Sequence, residues 1–271
     1  MNFGVLLGFI LSFVITAYAI LTSSDDKTVF LDEHGIIIVI GGTITVALLC
    51  FPVKQLFSSF KVFLKDMFIK QKVDYEKAIK TIVGLSEAYR LDPKNLRSKL
   101  SNDAHPLLKD GITLLVDYGF NYEKLDDILS NAVKGQKVRN HENAKVWQTV
   151  SRFPPAFGLL GATVGMIALL QTIGSEGAQD RIGPAMATAL VATFYGLVLA
   201  NFFLIPISEK LTELGKEDII LRSIIHEGIL MIHQKEHPLY IEEYLKSFLS
   251  PAIKKKMTSS KGSISSDQKA A

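Results

Sequence analysis

Hydroxyl, amide and phenol side chains at Thr163, Gln171, Thr188, Thr193, Tyr195 and Asn201 fall inside two long apolar stretches of the chain. A polar group at that depth is costly unless it finds a partner, and such groups are the ones that line ion pathways. The hydroxyls can equally bond to their own helix backbone, so both uses stay open. What the two stretches lack is as informative. Neither contains Asp, Glu, Lys or Arg, whereas moving protons through a membrane ordinarily takes an acid that binds and releases them. Either the chain carries no ions, or its acid comes from a second subunit packed against these stretches.

Other chemistry finds little foothold. No G-x-x-x-x-G-K-[ST] loop is present to cradle phosphates. His233 and His237 stand four apart, a spacing able to hold a metal. A pair falls short of zinc's ligand count, and the H-E-x-x-H pattern is absent, so neither a metal nor a cofactor is expected. No Ser-His-Asp or Cys-His motif is recognisable, and an enzyme is not expected. A net charge of +3 is too small to argue for nucleic acid, no Arg-rich stripe with interleaved aromatics is present, and no nucleic-acid partner is expected. The single cysteine, Cys50, excludes a disulfide framework.

The 271 residues are 48% apolar and 21% charged, and the apolar residues are bunched. Four runs reach the roughly 20 residues that cross a bilayer as a helix: Phe3 to Leu21, Ile36 to Val53, Phe153 to Ile173, and Pro184 to Ile207. None holds an ionisable Asp, Glu, Lys or Arg. Ala17-Tyr18-Ala19 imitates a signal-peptidase site, but Met1-Asn2-Phe3 supplies no basic region, so the first run reads as a retained helix. The last two runs are rich in small residues. Gly161 and Gly165 form a G-x-x-x-G pair, and Gly158, Ala185, Ala189, Ala192, Gly196 and Ala200 extend the pattern, which lets helix backbones approach closely.

Loop charges set the orientation. Residues 52–152 carry eighteen Lys/Arg against twelve Asp/Glu, while 22–34 holds one Lys against four acids and 174–183 one Arg against two. Both termini and the long loop therefore face the cytoplasm. The loop opens on an amphipathic segment, residues 56–68. Phe57, Phe60, Leu64 and Met67 recur there at helical spacing, with Lys61 and Lys65 on another face. Such a helix either lies at the membrane interface beside anionic lipid or packs on its own domain; the pattern alone fits both. Further helices are expected at 74–90, 106–118, 123–147, 208–234 and 238–249, and the Ser- and Lys-rich tail from Thr258 to Ala271 has a disordered composition. The expected fold is all-α: four transmembrane helices, a large cytoplasmic helical domain between the second and third, and a cytoplasmic C-terminal helix. In numbers, 1–53 holds spans one and two, 54–152 the cytoplasmic domain, 153–207 spans three and four, 208–257 the C-terminal helices and 258–271 the tail.

Phe153-Pro154-Pro155-Ala156-Phe157-Gly158-Leu159-Leu160-Gly161 resembles the start of the third span in the motility protein A family. Ile182-Gly183-Pro184-Ala185-Met186-Ala187-Thr188-Ala189-Leu190 resembles the start of the fourth, and Ala192-Thr193-Phe194-Tyr195-Gly196 with Asn201 and Phe203 through Pro206 its remainder. Glu227-Gly228-Ile229-Leu230, Pro238 and Ile241-Glu242-Glu243-Tyr244-Leu245 continue the likeness. The resemblance implies an ion-conducting stator subunit of the bacterial flagellar motor, in the inner membrane. Five such chains would surround two single-span B-subunits, which carry the ion-binding Asp and a peptidoglycan-binding domain. It also implies contact with the flagellar rotor switch protein and, for a multi-span chain, with membrane lipid.

Site residues carry over by motif. Thr193 takes the family's polar fourth-span position, and Ala162 stands where sodium-driven relatives have a third-span threonine; with Tyr195 they form the expected ion pathway. The methyl of Ala162 removes one possible oxygen ligand, and Thr163, turned about 100° away, cannot replace it, which favours protons. Pro155 and Pro206 match the two prolines that couple ion passage to conformational change. Pro155 would free a carbonyl one turn earlier, or would simply start a helix. Arg90, with Lys94 and Arg97, falls where the family faces the rotor, although the family's acidic partner residue is missing near Arg97; a solvated helix face is the alternative. A related proton-driven motor energising outer-membrane transport typically has three spans with its large loop after the first. A scaffold without ion flux would need none of these motifs.

Overall fold

The computed structural model describes residues 3–23, 27–68, 73–93, 96, 99–101, 103–172, 178–255 and 257. Among them there is helix and loop but no strand. The helices are α1 (Phe3–Ser23), α2 (Glu33–Ile36), α3 (Gly42–Cys50), α4 (Val53–Phe68), α5 (Tyr75–Leu91), α6 (Pro106–Val116), α7 (Tyr122–Val150), α8 (Phe153–Thr172), α9 (Ala178–Val198), α10 (Ile205–His233) and α11 (Pro238–Lys246). A short 3-10 helix, Lys27–Phe30, precedes α2, and two π-helical turns join longer helices: Ile37–Gly41 joins α2 to α3, and Leu199–Leu204 joins α9 to α10. Four helices are long and apolar enough to cross a membrane.

Helix ends follow local chemistry. Asp32 caps α2 by accepting the Gly35 N–H at 2.6 Å, and Asp74 caps α5 by accepting that of Lys77 at 2.9 Å. Span two begins at Glu33 and stops at Cys50, three residues short of the expected Val53. Pro52 is the reason: it drives Phe51 into an extended conformation (φ −135°, ψ 143°). Its own carbonyl then accepts the Gln55 and Leu56 N–H groups to start α4. Span four begins earlier than Pro184, at Ala178, and Pro184 lies inside it. The tail 258–271 lies outside the described residues, and so does the side chain of Met67.

The chain divides into two compact units, Met1–Gln71 with Asn140–Leu214, and Lys72–Arg139 with Gly215–Ala271. The division differs from the loop ends because α4 packs with the spans. The buried Ser59 hydroxyl donates to the Asn143 carbonyl at 2.8 Å, and Val62 and Phe63 cover Ala144, Trp147, Ile207 and Leu211. In this unit α8 and α9 form the main helix pair, with the turn Ile37–Gly41 against α8. In the second unit α5, α6, α7, α10 and α11 enclose an aliphatic core. Ile79, Ile82, Leu108, Ile112, Leu125, Leu129, Ile224, Ile225, Ile229, Ile232 and Ile241 are the α-helical members of its largest fully buried side chains. Their i, i+3 and i+4 spacing puts each set on one helix face, and full burial contributes about 1.5–3 kcal/mol per side chain.

Candidate ion pathway between spans three and four

Spans three and four meet along a seam of small residues. A Cβ on Gly161 would stand 2.8 Å from the Ala192 Cβ, one on Gly165 3.0 Å from the Ala189 Cβ, and one on Gly158 2.9 Å from the Ala192 carbonyl oxygen. Gly196 lies against the Pro154 carbonyl so closely that no side chain fits there. The G-x-x-x-G pair expected from the sequence therefore sits in the interface, where backbones touch. Large aliphatic side chains point the other way: Leu159, Ile167, Leu170 and Leu190 are each more than half exposed.

Thr193 sits on this seam, half-buried, and its hydroxyl donates across the interface to the Gly158 carbonyl at 3.3 Å. Ala162 follows Gly161 and is half-buried. Thr163 is exposed and donates to the Leu160 carbonyl of its own helix at 2.7 Å, so its hydroxyl does not substitute at Ala162. Tyr195 is drawn elsewhere. Its hydroxyl donates to the Phe30 carbonyl and accepts the Asp32 N–H at 3.3 Å, tying span four to the loop between spans one and two. Asn201 is exposed within the second π turn, its amide donating to the Leu197 carbonyl at 2.9 Å.

The prolines mark two joints. Pro154 and Pro155 are in the first turn of α8, where a helix makes no use of those N–H groups. Neither can donate to the carbonyls of Val150 and Ser151, and α7 gives way to α8 through the two-residue turn Ser151–Arg152. The freed carbonyl thus belongs to the α7–α8 joint, not to the middle of a span. Pro206 is the second residue of α10, just after the turn Leu199–Leu204. There the Ile205 N–H reaches back five residues to the Ala200 carbonyl. A proline ring crowds the carbonyl four residues before it, and a wider turn relieves that clash.

The remaining candidates are dispersed. Arg90 is exposed in the last turn of α5, while Lys94 and Arg97 lie outside the described residues. The His233 ring lies tilted beside that of Tyr122, centroids 6.3 Å apart, and the His237 ring accepts the Leu239 N–H at 3.3 Å as a helix cap. Among the described residues no group of three or more His, Cys, Asp or Glu could hold a metal ion. Sequence reasoning missed both π turns, the Tyr195 tie and the pair between His226 Nε2 and Asp126 Oδ1 at 2.8 Å. It also missed a repeated signal that was visible: His105-Pro106-Leu107 and His237-Pro238-Leu239 start α6 and α11 alike.

A model of the MotA/TolQ/ExbB proton channel family matches residues 99–250. The chain belongs to this family, and with its four apolar helices it is a multi-pass membrane protein. It is 30% identical to the chemotaxis protein PomA of Vibrio alginolyticus, over 92% of this chain and 96% of that one. It is 29% identical to motility protein A of Aquifex aeolicus (strain VF5), over 90% and 94%. Its fold superposes on a chain of the flagellar MotAB stator complex from Bacillus subtilis with a TM-score of 0.82. The two are 25% identical, and the match covers 93% of this chain and 97% of the other. The structure of C. jejuni MotAB gives the same TM-score at 22% identity and shares the fold.

Proposed function

We propose that this chain is the ion-channel A-subunit of a bacterial flagellar stator, turning transmembrane proton flux into torque on the rotor. One observation carries the reading. Spans three and four join through a glycine–alanine seam that holds a polar hydroxyl, Thr193, and along 158–165 and 189–196 no Asp, Glu, Lys or Arg. Such a surface conducts only when a partner supplies the acid. The partner is a single-span B-subunit with a membrane Asp and a peptidoglycan-binding domain, in an assembly of five A-subunits around two B-subunits. Two relatives that align over nine-tenths of the chain are a chemotaxis protein and a motility protein, which favours the flagellar role over outer-membrane energy transduction.

In this reading Thr193 and Ala162 border the ion's route. Tyr195 keeps the first loop against span four, and Pro155 and Pro206 are the joints through which occupancy of the partner's acid moves the helices. Arg90, Lys94 and Arg97 face the rotor switch protein, both termini are cytoplasmic, and the outward apolar side chains meet lipid or neighbouring subunits. Protons fit better than sodium: the Thr193 proton is given to a carbonyl, Thr163 turns away, and Ala162 offers only a methyl. A bare cation would lack oxygen ligands there, which is costly in a membrane.

Expression with its B-subunit in a stator-deleted strain is expected to restore swimming and proton leak, and expression alone neither. Swimming is expected to stop with a protonophore and to ignore external sodium. Robust proton flux from the chain alone overturns the subunit reading, and speed that follows sodium through a protonophore overturns the choice of ion.

A further inference from the structure

At the boundary where span two leaves the apolar region, α4 presents three faces. At 100° per residue, Gln55, Leu56, Ser59, Val62 and Phe63 share one arc, and these are the residues turned inward. Ser59 is fully buried, and Val62 and Phe63 close over Trp147. A second arc about 60° wide holds Val53, Phe57, Phe60 and Leu64, which are 52%, 71%, 48% and 37% exposed. Lys54, Lys61 and Lys65 are exposed and fall within a third arc about 40° wide, directly beside the apolar one. No acid among the described residues pairs with these lysines. The apolar arc also continues a membrane surface: Leu48 and Leu49, at the end of span two, are 50% and 80% exposed only a few residues before Val53.

We propose that this face of α4 is a binding site for anionic phospholipid. The apolar arc enters the acyl boundary of the bilayer, and the lysine stripe meets phosphate headgroups. The two alternatives left open by the pattern are then both realised, because the inner arc packs on protein while the other two face lipid. Lysine suits the role, with an alkyl stem that lies along apolar surface and an ammonium that reaches the headgroup layer. Each lysine near an anionic leaflet contributes about a factor of five in partition. The assignment rests on the membrane-spanning reading of the chain and needs neither the partner subunit nor the rotor.

The molecule carries its own reporter. Trp147 is the one tryptophan, and it lies 6.2 Å from Phe60 and 5.5 Å from Phe63 of α4, ring centroid to centroid. The full chain, reconstituted in vesicles doped with spin-labelled phosphatidylglycerol or with equally labelled phosphatidylcholine, reads lipid proximity as quenching of Trp147. Phosphatidylglycerol is expected to quench several-fold more effectively at equal mole fraction. The triple variant Lys54→Gln, Lys61→Gln, Lys65→Gln should remove that preference, and the triple arginine variant should keep it. Phe57→Ser is expected to lower quenching by both lipids alike. Equal quenching by the two lipids in the unmodified chain overturns the proposal, as does a preference that survives the glutamine variant. If a second copy covers the face, neither lipid quenches and Phe57→Cys in a Cys50→Ser background cross-links to its neighbour; that result also overturns it. A chain that fails to restore swimming yet shows the lipid preference breaks only the stator reading.

Discussion

The two compact units solve packing in opposite ways. Around α8 and α9 the small residues face inward and the large aliphatics outward: Gly161 meets Ala192 while Leu159 and Ile167 are left exposed. In the second unit Ile79, Ile82, Ile225 and Ile229 are buried and the charged residues lie outside. Glycine serves both, differently. Gly228 makes room for the side chain of Ile82 and Gly111 for that of Ile229, whereas Gly158 and Gly196 make room for another helix's backbone. In water, removing aliphatic surface stabilises the fold. In lipid that gain vanishes, and close backbone approach with van der Waals contact takes its place.

The comparison can be broken where it is sharpest. Ile229→Ala removes a fully buried side chain and is expected to cost about 2–5 kcal/mol. Hydrogen exchange should rise across α5, α6 and α10 from Gly215 onward, while the spans still insert. Protection lost equally in α8 and α9 would mean that the two packing regimes are not separate.

Gly196→Ala tests the other regime. Its methyl group meets the Pro154 backbone, which cannot rotate away as a side chain can, so about 1–3 kcal/mol of overpacking is expected. Hydrogen exchange should rise across α8 and α9 while α5 and α6 keep their protection. The matching change in the second unit, Gly228→Ala, presses only on the Ile82 side chain and should cost less. A larger loss at Gly228 would contradict the distinction between backbone and side-chain contact.

The smallest effect belongs to His105, whose ring Nδ1 accepts the Leu107 N–H at 3.2 Å to cap α6. Burial, with Arg222 adding to it, holds its pKa below the usual 6.5, while Asp218 and Asp110 pull the other way. The folded ring thus resists a proton that the unfolded ring accepts. Stability from this group is complete above pH 6.5 and declines as pH falls through that value toward the folded pKa. His105→Asn keeps an acceptor without titrating, and its melting temperature should fall less than the unmodified chain's on acidification. An identical acid slope in both proteins would remove His105 from the account.

Much of this was legible in the sequence because bunched apolar residues without charge have few alternatives to spanning a membrane. Gly161, Gly165 and Ala192 were legible for the same reason: small residues in such a helix mark where it touches another. The end of span two was misplaced because hydropathy runs on through Phe51 and Val53, whereas the backbone answers to Pro52. The π turns left no trace, since every residue from Leu199 to Leu204 except Asn201 is apolar or small and suits any helical period. Tyr195 could not have been assigned to Phe30, because a bond across that much sequence follows from tertiary structure alone. The His-Pro-Leu starts of α6 and α11 were readable, since a ring nitrogen ahead of a proline is a local capping device.

The turn Leu199–Leu204 also governs how relatives should be aligned. A π turn holds about one residue more than the α-helix that would otherwise occupy the same stretch, so its presence or absence shows up as a single-residue gap. Closing such a gap to improve an alignment score would assign every position beyond it to the wrong side of the helix, Pro206 included. A one-residue indel at 199–204 therefore records a change of helix geometry, and lineages on either side of it should be compared by facing surface before residue number.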